Sequence, residues 1–196
     1  MHKNNSSIQV QDDTAIWLAF KSGSEIAFDY MYDTYFSKLY NYSLRFSADT
    51  DLIKDCIQNL FVDLWRKKEN LADVQSIKFY LYKCIRHRII QELARESKLV
   101  HTEDLEEGYT FEVSFSHEFF LITKQISEEN QARLMKAFEL LTKRQKEAVF
   151  LRYYDNLEYH EIAAIMQLKE VKYARTLIYR ALDVLKASIR RLASVE

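Results

Sequence analysis

The chain has 196 residues, 48% of them apolar and 29% charged, which is enough to bury one core or two small ones in water. A net charge of −1 gives no overall attraction for nucleic acid, so any such role must come from an uneven spread of charge along the chain. With no Pro, only Gly23 and Gly108, and abundant Leu, Lys, Glu, Gln and Arg, the sequence lacks the punctuation that strand turns require, and this predicts an all-α protein.

The amino end, Met1 to Thr14, is polar and has no apolar signal core. No later stretch supplies the roughly 18 uninterrupted apolar residues of a membrane span. The expectation is a cytoplasmic protein without direct membrane insertion. From Asp13 to about Ser97, apolar residues recur at helical spacing, with breaks at Ser47 to Thr50 and Asn70 to Ser76. This predicts a first lobe over 13–97 built of about four helices.

Within that lobe, the helix Asp51 to Trp65 turns Ile53, Ile57, Leu60, Phe61 and Leu64 inward and leaves Asp55, Gln58, Asn59 and Asp63 on a polar face. Periodicity alone reads such a face equally well as a solubilising surface. The next helix, Phe79 to Leu93, buries Leu81, Ile85, Ile89 and Leu93 and turns Lys83, Arg86 and His87 outward, with Arg88 alongside. Tyr80 and Tyr82 are either packing residues or platforms on which unpaired bases stack beside cationic side chains. Cys56 and Cys84 stand 28 positions apart, without a C-x-x-C pair or a His cluster, so they are expected to be reduced core filler with no metal site.

Charge is distributed in blocks. Six Lys or Arg and two acids lie between Lys78 and Lys98, and seven Lys or Arg and two acids between Lys169 and Arg191. The stretch Leu99 to Thr123 carries six acids and no Lys or Arg. Its Phe111-Glu112-Val113-Ser114-Phe115 alternates without a helical period, so 98–118 is read as an acidic linker, partly ordered. An acidic segment between two basic ones raises the further expectation that Glu103, Asp104, Glu106 and Glu107 cover basic surfaces in the free protein.

The second lobe, 119–196, opens with a helix whose face carries Leu134, Ala137, Phe138 and Leu141, followed by Thr142-Lys143-Arg144-Gln145, a capping box for the next helix. A short helix near Tyr159 to Met166, with small Ala163 and Ala164, can pack closely under a longer one from about Glu170 to Leu192. Val171, Ala174, Ile178, Ala181, Leu182 and Leu185 form the packed stripe of that last helix, and Lys172, Arg175, Thr176 and Tyr179 fall on the opposite side. This is the pattern of a helix-turn-helix whose second helix enters the major groove. A solvated basic helix on an ordinary bundle has the same periodicity.

The residues Arg144-Gln145, Leu151-Arg152-Tyr153-Tyr154, Glu161-Ile162-Ala163 and Ala174 to Leu182 carry a specific resemblance. The segment Leu141 to Leu185 resembles the fourth conserved region of extracytoplasmic-function (ECF) RNA polymerase sigma factors of the sigma-70 family. It departs from the family pattern at Thr142, where Pro is usual, at Glu158, where Ser or Thr is common, and at Gln167, where Gly is common. The turn from Gln167 to Glu170 is also one residue longer. The resemblance implies that Lys169, Lys172, Tyr173, Arg175, Thr176, Tyr179 and Arg180 meet the upstream minus-thirty-five promoter element.

A second match is independent of the first. Asp51 to Trp65 is similar to the second-region helix by which this family grips core RNA polymerase, which implies that Asp55, Gln58, Asn59 and Asp63 face the polymerase. Phe79 to Leu93 is similar to the part that meets the minus-ten element, which implies promoter contacts for Tyr80, Tyr82, Lys83, Arg86, His87 and Arg88. There His87 stands where Asn is common and Gln91 where Asp is common. Family membership implies core RNA polymerase, promoter DNA and an anti-sigma factor as partners, and no cofactor.

Enzyme signals are poor: His160-Glu161 is followed by Ala164 where a zinc-protease helix needs its second His, and His117-Glu118 fails likewise at Leu121. No Gly-rich phosphate loop and no nucleophile with base and orienting group can be assembled. A stand-alone helix-turn-helix regulator would need only the second lobe. A protein-only helical adaptor would need neither basic face to meet DNA.

Overall fold

The structure, a computed structural model, describes residues 12–96, 109–113 and 128–193. Among the described residues every regular element is helical. No helix among them is long and apolar enough to cross a membrane. Chain packing divides the protein into two compact units, one of Met1–Leu44 with Asp49–Ile89 and one of Arg45–Ala48 with Ile90–Glu196.

The first unit begins with α1 (Asp13–Lys21), whose first turn is capped by the Asp12 carboxylate accepting from the Thr14 N–H. Gly23, at φ 92, makes the tight reversal into α2 (Glu25–Ser43), a conformation that a side chain would strain. Ser24 and Asp49 are the N-caps of α2 and of α3 (Thr50–Lys67), each accepting from backbone N–H groups the helix leaves unpaired. A 3-10 turn, Lys68–Asn70, ends α3, and α4 (Ile77–Glu96) starts after the expected break. There the Asp13 carboxylate accepts from the Ile77 N–H at 2.8 Å, so the start of α1 also caps the start of α4.

Aromatic side chains dominate this core. Trp17 and Phe20 are fully buried, and the Trp17 indole N–H donates to the Ala72 carbonyl at 2.9 Å. Phe28 lies against Phe61 and Trp65 at ring separations of 5.9 and 5.1 Å. The inward stripe expected of α3, from Ile53 to Leu64, is buried throughout. Of the two free thiols, Cys56 is core and Cys84 is half-buried, and the Cys84 pKa is raised first of all by that burial, so Cys84 stays protonated near neutral pH.

The second unit contains α5 (Glu128–Glu139), α6 (Lys143–Val149), α7 (Tyr159–Ile165) and α8 (Val171–Ala193). The capping box read at Thr142 is present: its hydroxyl accepts from the Gln145 N–H at 3.3 Å and the Gln145 side chain accepts from the Thr142 N–H at 3.0 Å. From Phe150 to Tyr154 the helix widens into a π turn, closed by Asp155 N–H donating to the Phe150 carbonyl. Ala137, Phe138, Leu141, Val149, Ala181 and Leu185 make a common core for α5, α6 and α8.

Part of the expected linker belongs to that core. Burial alternates along residues 109–113, with Tyr109 and Phe111 buried at 4% and 1% exposure and Thr110 and Glu112 exposed. The period-two alternation is therefore that of a strap with one buried face. Phe111 packs edge-on to Phe46 and Phe150, the Tyr109 hydroxyl donates to the buried Glu147 carboxylate at 2.7 Å, and the Glu112 N–H donates to the Arg45 carbonyl. Glu112 pairs with Lys146 of α6 at 3.1 Å. The four acids expected to shield basic surfaces, Glu103 to Glu107, lie outside the described residues.

Candidate nucleic-acid interface

The turn between α7 and α8 fixes how the last helix is presented. Leu168 N–H donates to the Ala163 carbonyl at 2.8 Å, and this closure places Gln167 in the left-handed region at φ 52. That backbone is the physical reason Gly suits the position. A non-Gly residue there costs about 1–2 kcal/mol, against about 0.5–1 kcal/mol of extra chain entropy for Gly. Gln167 is exposed. Gln167→Gly should therefore stabilise the fold by about 0.5–1 kcal/mol, read as a rise in the midpoint of urea unfolding. A lower midpoint would mean that the Gln167 side chain contributes something its exposure hides.

On α8, Ala174, Ile178, Ala181 and Leu185 are buried, and Ala163 of α7 packs beneath with 5% exposure. Val171 departs from the expected stripe: it opens the helix at 37% exposure, one turn before the packing begins. All the residues read as upstream contacts, Lys169, Lys172, Tyr173, Arg175, Thr176, Tyr179 and Arg180, are exposed. Thr176 spends its hydroxyl on the Lys172 carbonyl at 2.9 Å, and Lys172 pairs with Glu170 at 2.7 Å in the open, where such a pair is weak.

Sequence reading missed two members of this face. The Tyr159 ring, at the start of α7, lies under the Arg175 guanidinium at 5.4 Å and under the Arg152 guanidinium at 4.9 Å. Arg152, on the π turn, is held by the Leu157 carbonyl at 2.9 Å and the Glu158 carboxylate at 3.1 Å. The Tyr159 pKa is raised, by burial first and then by the neighbouring Tyr179. Nothing periodic links Arg152 and Tyr159 to Arg175 and Tyr179; only the π turn and the helix crossing bring them together.

In the first unit, Asp55, Gln58 and Asn59 form an exposed row on α3. Asp63 differs from them: its carboxylate is ion-paired with Arg88 of α4, so two residues read as belonging to separate surfaces partner one another. Lys83 and His87 are exposed one turn apart on α4.

Three expectations for α4 are corrected. Arg86 does not face outward but is fully buried, because it lies between Tyr82, Ile89 and Ile90 on an apolar arc that also includes Ile77, Leu81 and Ile85. Tyr82 is fully buried too, against Tyr42 at 5.1 Å, so the packing alternative holds for it. Tyr80 is half-buried edge-on to Trp17 at 5.0 Å, its hydroxyl pushed up to about 12 by burial and then by Cys84. Leu93, read as core, is only partly covered. His160 is exposed, and among the described residues no group of His, Cys, Asp and Glu is arranged to hold a metal.

Comparison with known proteins points in one direction. Residues 31–99 match the family description Sigma-70 region 2, and residues 131–185 match Sigma-70, region 4. RNA polymerase sigma factor YlaC of Bacillus subtilis (strain 168) is 27% identical over 157 residues, covering 80% of this chain and 88% of that protein. Two solved structures share the fold. CnrH, in complex with the cytosolic domain of CnrY, has a TM-score of 0.58 at 19% identity over 92% of this chain and 98% of its own. The sigma factor RpoE, in complex with the anti-sigma factor NepR from Bartonella quintana, has a TM-score of 0.57 at 18% identity over 83% of this chain and 96% of its own.

Proposed function

Because this chain belongs to the sigma-70 family as an ECF sigma factor, we propose a division of labour between its two units in promoter-specific transcription initiation. The protein is an alternative sigma factor that directs RNA polymerase to promoters. The observation that carries the assignment of surfaces is α8: every residue read as an upstream contact is exposed, while Ala174, Ile178, Ala181 and Leu185 are buried behind them.

Region 2 spans 13–97, a linker spans 98–118 and region 4 spans 119–196. Asp55, Gln58 and Asn59 dock on core polymerase. Asp63 acts mainly by holding Arg88. Lys83, His87 and Arg88, with the exposed edge of Tyr80, attract and stack on melted minus-ten DNA, where phosphate charge and base stacking act together. Lys172, Arg175, Thr176 and Tyr179, flanked by Lys169, Tyr173 and Arg180, enter the major groove of the upstream element. The buried Arg86 and Tyr82 support α4 from within and meet no DNA.

The protein works in the cytoplasm and catalyses no reaction of its own. CnrH and RpoE are each held by a protein partner, NepR being an anti-sigma factor, which supports an anti-sigma factor as the regulator of this chain. Reconstitution tests the whole reading. Core polymerase with the purified full chain should transcribe a subset of bacterial promoters that core alone leaves silent. Transcripts unchanged by the chain would overturn it.

A further inference from the structure

The cluster of Arg152, Tyr159, Arg175 and Tyr179 is not explained by packing alone, since Arg175 and Tyr179 are exposed. A guanidinium laid on an aromatic ring uses its face and leaves its in-plane N–H donors available for two parallel hydrogen bonds to a base edge. Among the described residues Arg175 has no carboxylate partner to consume those donors. Arg152, under the same ring, is by contrast neutralised by Glu158 and tied to the Leu157 carbonyl, which anchors the platform to the π turn. A long Arg side chain otherwise loses rotamer freedom when it binds, and a fixed platform removes part of that cost in advance.

We propose that Tyr159, on the first helix of the motif, is a positioning residue for base readout, its ring presenting the Arg175 guanidinium edge-on to the groove. The inference rests on the promoter reading of α8 and deepens it. It assigns sequence discrimination, as distinct from phosphate attraction, to a contact between the two helices. Phosphate-directed cations such as Lys169 and Lys172 need no such platform, because attraction of a point charge tolerates a mobile side chain.

The test uses holoenzyme assembled from core polymerase and the full chain, with a randomised duplex DNA pool as probe and sequencing of the retained fraction. Arg175→Ala first marks which motif column depends on that side chain. Tyr159→Leu should lower discrimination in the Arg175 column by about tenfold while the other columns and the salt dependence of retention persist. Tyr159→Leu combined with Arg175→Ala should lose nothing further in that column. Tyr159→Phe, which keeps the ring beneath Arg175, should leave the Arg175 column intact.

A Tyr159→Leu motif identical to that of the wild type, or an equal loss in every column, overturns the inference. So does loss of the Arg175 column in Tyr159→Phe, a variant that keeps the ring and decides the matter even if Tyr159→Leu fails to fold. A wild-type holoenzyme that enriches no motif overturns the promoter reading itself and this inference with it.

Discussion

Replacing both Lys172 and Arg175 by Glu is expected to abolish promoter-dependent transcription while leaving capture of core polymerase unchanged. Each cation that meets a phosphate or base edge is replaced by an anion that repels it. At about 1–3 kcal/mol for each well-made base contact, plus the lost phosphate attraction, upstream binding should weaken by at least about a hundredfold. The fold should tolerate the change, because both side chains are exposed. Glu in the first turn of α8 also suits the positive end of the helix dipole, although Glu at 172 would lose the pairing of Lys172 with Glu170. Run-off transcription beside a polymerase pull-down reads both halves. Transcription that survives would remove α8 from promoter recognition; loss of capture as well would place the double substitution in polymerase binding.

Asp55→Ala with Gln58→Ala makes the reciprocal prediction. Both side chains are exposed on α3, and Ala is the better helix former, so the unit should keep its stability within about 0.5 kcal/mol. Truncating two central residues of a protein interface costs about 2 kcal/mol or more, and capture of core polymerase should fall by about thirtyfold or more. Asp63 is a poorer choice for this experiment despite its place on the same helix. Its removal strands the partly buried Arg88, so a loss of binding would mix docking with disruption of α4. Full capture by the double variant would move the docking face elsewhere. If the wild type captured no polymerase yet still bound DNA, a stand-alone regulator would account for the second unit and leave the first without a role.

In both substitutions the outward face was legible from periodicity, and its role from the family resemblance. Asp55 and Gln58 were readable because an amphipathic helix with a clean apolar stripe fixes its polar face by periodicity alone. Lys172 and Arg175 were readable for the same reason, α8 being the most sharply two-sided of the helices by residue type. On α4 the same reasoning failed at Arg86, since the apolar arc there is wide enough to surround a position whose residue type is cationic. Ile77, Leu81, Tyr82, Ile85, Ile89 and Ile90 together would have marked that arc, had Tyr82 and Ile90 been counted as core.

By itself the sequence determined the helical class, the two sigma-like regions, the breaks before α3 and α4, the capping box at Thr142 and the outward set on α8. The class came from composition and the regions from the resemblance, while the breaks, the cap and the outward set depend on spacing within one short stretch, where helical geometry converts residue order directly into faces and ends. Only the tertiary structure decided that Asp63 belongs to Arg88, that Tyr109 and Phe111 anchor a strap in the second unit, and that Tyr159 lies beneath Arg175. These pairings join residues 25 or 38 positions apart, or meet across a π turn and a helix crossing. Periodicity within a helix says which way a side chain points, but not what the rest of the chain places in front of it.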